Sequence, residues 1–243
     1  MLLTIYVSTF SDRLIRYPPS GFTFDWYPES IAYFSSPILT SFYLAAISAA
    51  ISLTLGALAG IALSRYKFRG KSLLSGFLVL PLAVPGIAVG LAIYICAILL
   101  EMKTGVRTAG TLVLLVLAHV LITIPWVIRI CMASLTTADR VVEEAAASLG
   151  ASPMMVIWRV TLPSMRTGII ASGMFAFIIS FENLEMSLFL IAPGMTTLPI
   201  SIFQYLEYNL NPLVAAISVV QIIVIGSFLL AIGRFANLGK ITR

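Results

Sequence analysis

The chain has 243 residues, of which 60% are hydrophobic and 10% charged, with a formal net charge of +5 and a mean hydropathy of +1.04. Soluble domains carry about 25% charged residues, so an ordinary soluble fold is excluded. A nucleic-acid surface needs its basic residues gathered on one face; here they are scattered between apolar segments, which excludes that class as well.

Met1 to Phe10 is apolar but too short to cross a membrane, and it lacks the basic start and small-residue cleavage site of a signal peptide. It reads as the outer end of a helix whose inner part is missing, so residues 1–37 are expected to form a remnant of a first span and an external segment. Tyr17, Pro18, Pro19, Phe22, Phe24, Trp26 and Tyr27 suit the aromatic belt at a membrane exit. Continuous apolar runs then predict spanning helices over 38–64, 72–100, 109–134, 168–192 and 213–234. Crossing a core of roughly 30 Å takes about 20 such residues, and a barrel would instead alternate polar and apolar positions. The expected fold is an all-α polytopic membrane protein with five full spans plus a partial N-terminal one.

Within the first spans, Gly56 and Gly60, and Gly86 and Gly90, have the G-x-x-x-G spacing that lets helix backbones approach. Pro81 and Pro85 each remove a backbone donor and are expected to kink the second span. Cys96 and Cys131 fall inside spans and read as small hydrophobic residues. No metal-ligating spacing occurs, nor any nucleotide, protease or hydrolase motif, so no catalytic residue is expected.

Basic residues set the orientation. Arg65, Lys67, Arg69, Lys71, Arg140, Arg159, Arg166, Arg234, Lys240 and Arg243 fall on one side if the spans alternate, against Arg13, Arg16, Lys103 and Arg107 on the other. The first side, with the C-terminus, is therefore expected to be cytoplasmic.

Polar groups in lipid are costly and mark function by default. Glu182 and Glu185, three apart, are expected to share one helical face about 5–6 Å apart at Cβ. Their mutual repulsion is relieved by a bound cation, a basic neighbour or protonation of one group. Glu182 reads as a cation-binding group facing a polar pathway, or else as a structural carboxylate bonded to a neighbouring helix. His119 is a cross-helix hydrogen-bonding residue or a pathway residue, and Trp126 offers a packing surface or a cation–π face.

Between the third and fourth predicted spans lies a charged island at about 136–165. Asp139 can cap a helix from Arg140, and Gly150 can end it in the left-handed conformation. Ser152-Pro153 can start a second helix that Leu162-Pro163 closes. The result is a short helix–turn–helix, with Glu143 and Glu144 projecting charge outward; lying flat on the membrane is the alternative for such a hairpin.

Glu144-Ala145-Ala146, then Gly150, then Val160-Thr161-Leu162-Pro163 resemble, with the same spacing, the EAA loop of permease subunits of binding-protein-dependent ABC importers. The resemblance spans nearly the whole chain and implies the type I ABC importer permease fold over 38–243. It makes the loop a coupling helix for a cytoplasmic ATPase, with Glu143, Glu144, Ala145, Ala146, Gly150 and Pro163 as the coupling residues. Ser180-Phe181-Glu182-Asn183 followed by Ala192 to Pro199 is similar to the second permease subunit of spermidine/putrescine-type importers. Carriers of amino-acid-like or aminophosphonate solutes share much of that pattern. The implied solute is a polyamine, met by Glu182, Glu185, Trp126 and His119. The implied partners are a second permease subunit, two ATPase subunits that hold ATP and Mg, and an extracytoplasmic binding protein. The implied location is the bacterial inner membrane. An ion-coupled secondary carrier is the alternative class.

Overall fold

A computed structural model describes the backbone of residues 1–241 and the side chains through Arg234; Arg243 and the side chain of Lys240, counted above among the basic residues of one face, lie outside the described residues. Helix α1 (Leu2–Val7) leads into a loop closed by Asp12, which accepts hydrogen bonds from the Ser20 amide at 2.8 Å and from the Ser20 hydroxyl. Those donors hold the Asp12 carboxyl below its usual range. The aromatic segment packs partly on itself: Phe10 is buried beside Tyr6 and Phe22, and Trp26 Nε1 donates to the Phe10 carbonyl at 2.7 Å.

Helix α2 (Trp26–Arg65) is 40 residues long and passes straight through Pro37. The expected start at residue 38 is corrected: a proline costs one backbone bond, and burial of Ser30, Phe34 and Pro37 against neighbouring segments carries the helix across it. α2 is the hub of the molecule, packing on three other long helices.

The second predicted span is interrupted where its prolines stand. Helix α3 (Lys71–Val79) is followed by a 3₁₀ turn (Leu80–Ala83), an extended Val84 and then helix α4 (Gly86–Thr104). Helix α5 (Leu112–Thr137) is capped by Thr111, whose hydroxyl accepts from the Leu114 amide at 3.3 Å. The charged island folds as α6 (Arg140–Ser148), α7 (Pro153–Val156), a π turn (Ile157–Thr161) and α8 (Leu162–Ser164). Helix α9 (Arg166–Phe181) ends eleven residues short of the expected 192, and the four-residue α10 (Ser187–Leu190) follows. Helices α11 (Leu198–Tyr208) and α12 (Pro212–Ile241) complete the described chain.

Among the described residues, α2, α4, α5 and α12 are long and apolar enough to span a bilayer. Residues 153–164 and α9 pass the same test as a pair, bent by 73°. No regular β-strand forms among the described residues. The main core joins α2, α5, α9 and α12 through Phe34, Ala49, Ile61, Val127, Phe177 and Ile217.

The glycine pairs mark the close approaches. A Cβ at Gly56 would lie 2.7 Å from Val127 Cγ1, and one at Gly60 3.0 Å from Cys131 Cβ, so α5 lies directly on this stripe of α2. A Cβ at Gly90 would lie 2.8 Å from the Met186 carbonyl oxygen, so α4 packs on the backbone linking α9 to α10. Gly56→Val is therefore expected to destabilise the purified protein by about 1–3 kcal/mol through overpacking. Gly76→Ala, which meets open space, is expected to leave the midpoint of thermal unfolding in detergent unchanged; equal midpoints for the two variants would contradict this packing.

Candidate functional site

The hairpin at 139–164 has its own capping chemistry. Asp139 Oδ1 accepts from the Val141 amide at 2.9 Å and starts α6. The helix ends in a Schellman turn: the Ala151 amide donates to the Ala146 carbonyl at 3.1 Å and the Gly150 amide to the Ala147 carbonyl at 3.0 Å. Gly150 sits at φ +90°, which a side-chain-bearing residue adopts only with strain. Ser152 then accepts from the Met155 amide at 3.3 Å, with Pro153 in the first turn of α7. These caps match the sequence reading.

The far end differs from the sequence reading. Leu162-Pro163 does not close the second helix; Pro163 lies inside α8, exposed, and the sharp turn comes at Met165. Pro163 has no N–H for the Arg159 carbonyl, and the helix widens into the π turn just before it.

The two adjacent glutamates face opposite ways. Glu144 is exposed and makes only a surface pair with Arg140 at 3.1 Å. Glu143 turns inward and is a correction to the expected outward pair: its Oε2 lies 2.9 Å from Arg65 Nε. Its Oε1 accepts from Arg65 Nη2 and from the Thr161 hydroxyl, both at 3.0 Å. Ala145 is exposed and Ala146 partly so. Around them lie Val141, Val142, Met154 and Trp158, all exposed, and Leu149 at 89% exposure. Sequence reading missed this apolar set, though its density in a charged loop is a visible signal. A patch of this kind marks a protein or membrane contact.

The second site lies where two helix breaks meet. Glu182 is the C-cap of α9, at φ −90° and ψ 1°, and Glu185 lies in the turn before α10. They do not share a helical face, because the helix ends before either. Both are exposed, and among the described residues neither has an ion-pair partner. Glu185 packs on the first turn of α4: a Cβ at Gly86 would lie 2.6 Å from Glu185 Oε2. The 182–186 break thus faces the 80–85 break, and a carboxylate stands at the positive end of α4.

His119 holds this junction. It is fully buried, with Nδ1 2.7 Å from Ser180 Oγ on α9 and Nε2 3.0 Å from Ser187 Oγ on α10. Asn183 Oδ1 accepts from the Ser187 hydroxyl at 3.1 Å and from its amide at 3.3 Å. Thr123 bonds the His119 carbonyl at 2.7 Å and Ser52 Oγ at 2.6 Å, which extends the chain to α2. Both nitrogens being occupied inside the core, the expected solute contact at His119 is replaced by a structural one. Trp126, half-buried, packs on Phe175 with ring centroids 5.0 Å apart.

Residues 52–237 match the family of binding-protein-dependent transport system inner membrane components. The putrescine transport system permease protein PotI of Escherichia coli (strain K12) is 30% identical over 90% of this chain and 78% of its own length. The spermidine/putrescine transport system permease protein PotC of the same organism is 26% identical over 91% and 83%. A putative 2-aminoethylphosphonate transport system permease, PhnV of Salmonella typhi, is 27% identical over 97% and 89%. Among solved structures, an inward-facing form of the MetNI methionine ABC transporter superposes with a TM-score of 0.68 at 16% identity, covering 88% of this chain and 99% of that one. A bacterial ABC transporter that imports the acidic polysaccharide alginate gives 0.66 at 15% identity, covering 96% and 88%. This shared fold is the expected one.

His119→Phe keeps a ring in place but strands the Ser180 hydroxyl and leaves Ser187 with Asn183 alone. It is expected to cost about 1–3 kcal/mol, measured as a lower unfolding midpoint; an unchanged midpoint would show that His119 does not hold the junction.

Proposed function

We propose that this chain, which belongs to the family of binding-protein-dependent transport system inner membrane components, passes a small polycation of the putrescine and spermidine class through the membrane. It is a permease subunit of an ABC importer, not an enzyme in itself. The observation that carries the solute reading is the pair of exposed, unpaired carboxylates, Glu182 and Glu185, at the junction of two broken helices. Interrupted backbone at membrane depth is tolerated where it lines a cavity or is covered by protein. Carboxylates without a basic partner there favour a cation. The names of PotI and PotC point the same way. A phosphonate, carrying anionic oxygens, would be repelled by the same pair.

The apolar and acidic surface of α6 and α7 is the docking face for an ATPase subunit. Glu144, Ala145, Ala146 and Gly150 form its centre, and Pro163 lies at its edge. By the distribution of basic residues, that face and the C-terminus are cytoplasmic. Two ATPase subunits, holding ATP and Mg, a second permease subunit and an extracytoplasmic binding protein complete the complex. Trp126, half-buried against Phe175, is the cation–π candidate.

Glu182→Gln is expected to cut labelled putrescine uptake by the reconstituted complex about tenfold, or one to two kcal/mol of binding, with assembly and ATP hydrolysis retained. Unchanged uptake kinetics in that variant would remove Glu182 from the solute path. A wild-type complex that imports 2-aminoethylphosphonate but no polyamine would overturn the solute class.

A further inference from the structure

We propose that Arg65, Glu143 and Thr161 form a tie that carries displacement of the α6 hairpin into α2, and so couples the motor to the membrane helices. The inference rests on the reading of that hairpin as the ATPase docking face. The three residues come from three segments: the last residue of α2, the first turn of α6 and the end of the π turn.

The covalent route from α6 back to α5 is soft. It runs to α5 through Ala138 and Asp139, both in extended conformation. α6 rests mainly on α7 and the π turn that follow it, which lead through Ile157, Leu162 and Met165 toward α9 rather than α2; the Arg65–Glu143 contact links α6 to α2 directly. A cavity of ≈ 200 Å³ separates the hairpin from α2, with Ile61, Arg65, Glu143, Ala147 and Val156 in its wall. Across that gap Arg65 Nη2 donates to Glu143 Oε1 at 3.0 Å, and Nε lies 2.9 Å from Oε2 as a close charge contact without hydrogen-bond geometry. The side chains are only 16% and 12% exposed. The Thr161 hydroxyl, in a residue 2% exposed, locks the third position.

A half-buried charge-assisted hydrogen bond, held from the other side by the Thr161 hydroxyl, keeps the carboxylate in place. An exposed contact such as Arg140–Glu144 does not. The grip on Arg65 lies at the end of the helix on which α5, α9 and α12 all pack, so a shift there reaches the whole bundle. Arg65, Glu143 and Thr161 are positioning residues: none is proposed to touch solute or nucleotide.

The test uses the complete complex in proteoliposomes, with labelled putrescine and ATP hydrolysis measured in the same vesicles. Arg65→Ala and Glu143→Gln are expected to assemble and hydrolyse ATP while solute moved per ATP falls about tenfold. The exchanged pair Arg65→Glu with Glu143→Arg is expected to recover part of that ratio. An unchanged ratio in both single variants overturns the tie. A second measurement keeps all three residues: spin labels at the exposed positions Leu58 and Val142 report the distance between α2 and α6 with and without ATP. A constant distance while both move relative to α12 supports the tie, and a changed distance overturns it. A wild-type complex with no ATP-driven uptake overturns the docking reading instead, and that result appears in the wild-type arm alone.

Discussion

A helix interrupted inside a bilayer leaves backbone N–H and C=O groups that no water can reach, and each must be met by protein or open onto a wet path. The structure depends on how this chain meets that demand at two places. The break at 80–85 follows from Pro81 and Pro85, which withhold donors. The break at 182–186 contains no proline and no glycine. Its backbone is met instead by side chains: Asn183 serves the start of α10, and His119 ties Ser180 to Ser187 across the gap. The two breaks face each other because Gly90 lets α4 approach the Met186 backbone and Gly86 leaves room for the Glu185 side chain. A larger residue at Gly90 would push the junction apart.

The hairpin at 139–164 obeys the rules of a different solvent. Its ends are satisfied by Asp139, Ser152 and a glycine turn, the devices of helices in water. They hold α6 and the turn into α7, while Ile157 and Leu162 pack on the main core, which leaves Val141, Val142, Leu149, Met154 and Trp158 facing outward. The second half of the hairpin joins the bundle through Ile157, Leu162 and Met165, and the inward Glu143 ties the first half to α2.

These two regimes explain what could be read from the sequence. Caps and prolines act within a few residues, so Asp139, Gly150, Pro153 and the interruption near Pro85 were all legible. The glycine pairs were legible as contact stripes, since close approach requires the absence of a side chain. The end of α9 was not legible: SFENLEMSLF has the apolar content of a continuing span, and His119, sixty-one residues upstream of Ser180, is what holds the break. Nor could the start of α2 be read, because burial of Phe34 and Pro37 overrode a local helix-breaking signal. The direction of Glu143 was equally hidden, for its partner Arg65 is seventy-eight residues away.

The acidic pairs show the same division at both sites. Successive helical residues point about 100° apart, so Glu143 and Glu144 cannot both serve one surface: one is consumed by Arg65, the other stays in solvent. At the helix junction, Glu185 is seated against the first turn of α4 while Glu182 caps the end of α9 without a counter-charge. In each pair one carboxylate is seated against the chain, Glu143 on Arg65 and Glu185 on the first turn of α4, and the other is more open. An open carboxylate in water at Glu144 costs little. An open carboxylate at membrane depth costs several kcal/mol unless water or a cation reaches it, so Glu182 requires an occupant or a wet path in a way that Glu144 does not. That asymmetry is why the hairpin identifies a motor-driven subunit by its surface, whereas the junction points to a cation by the cost of leaving its charge unmet.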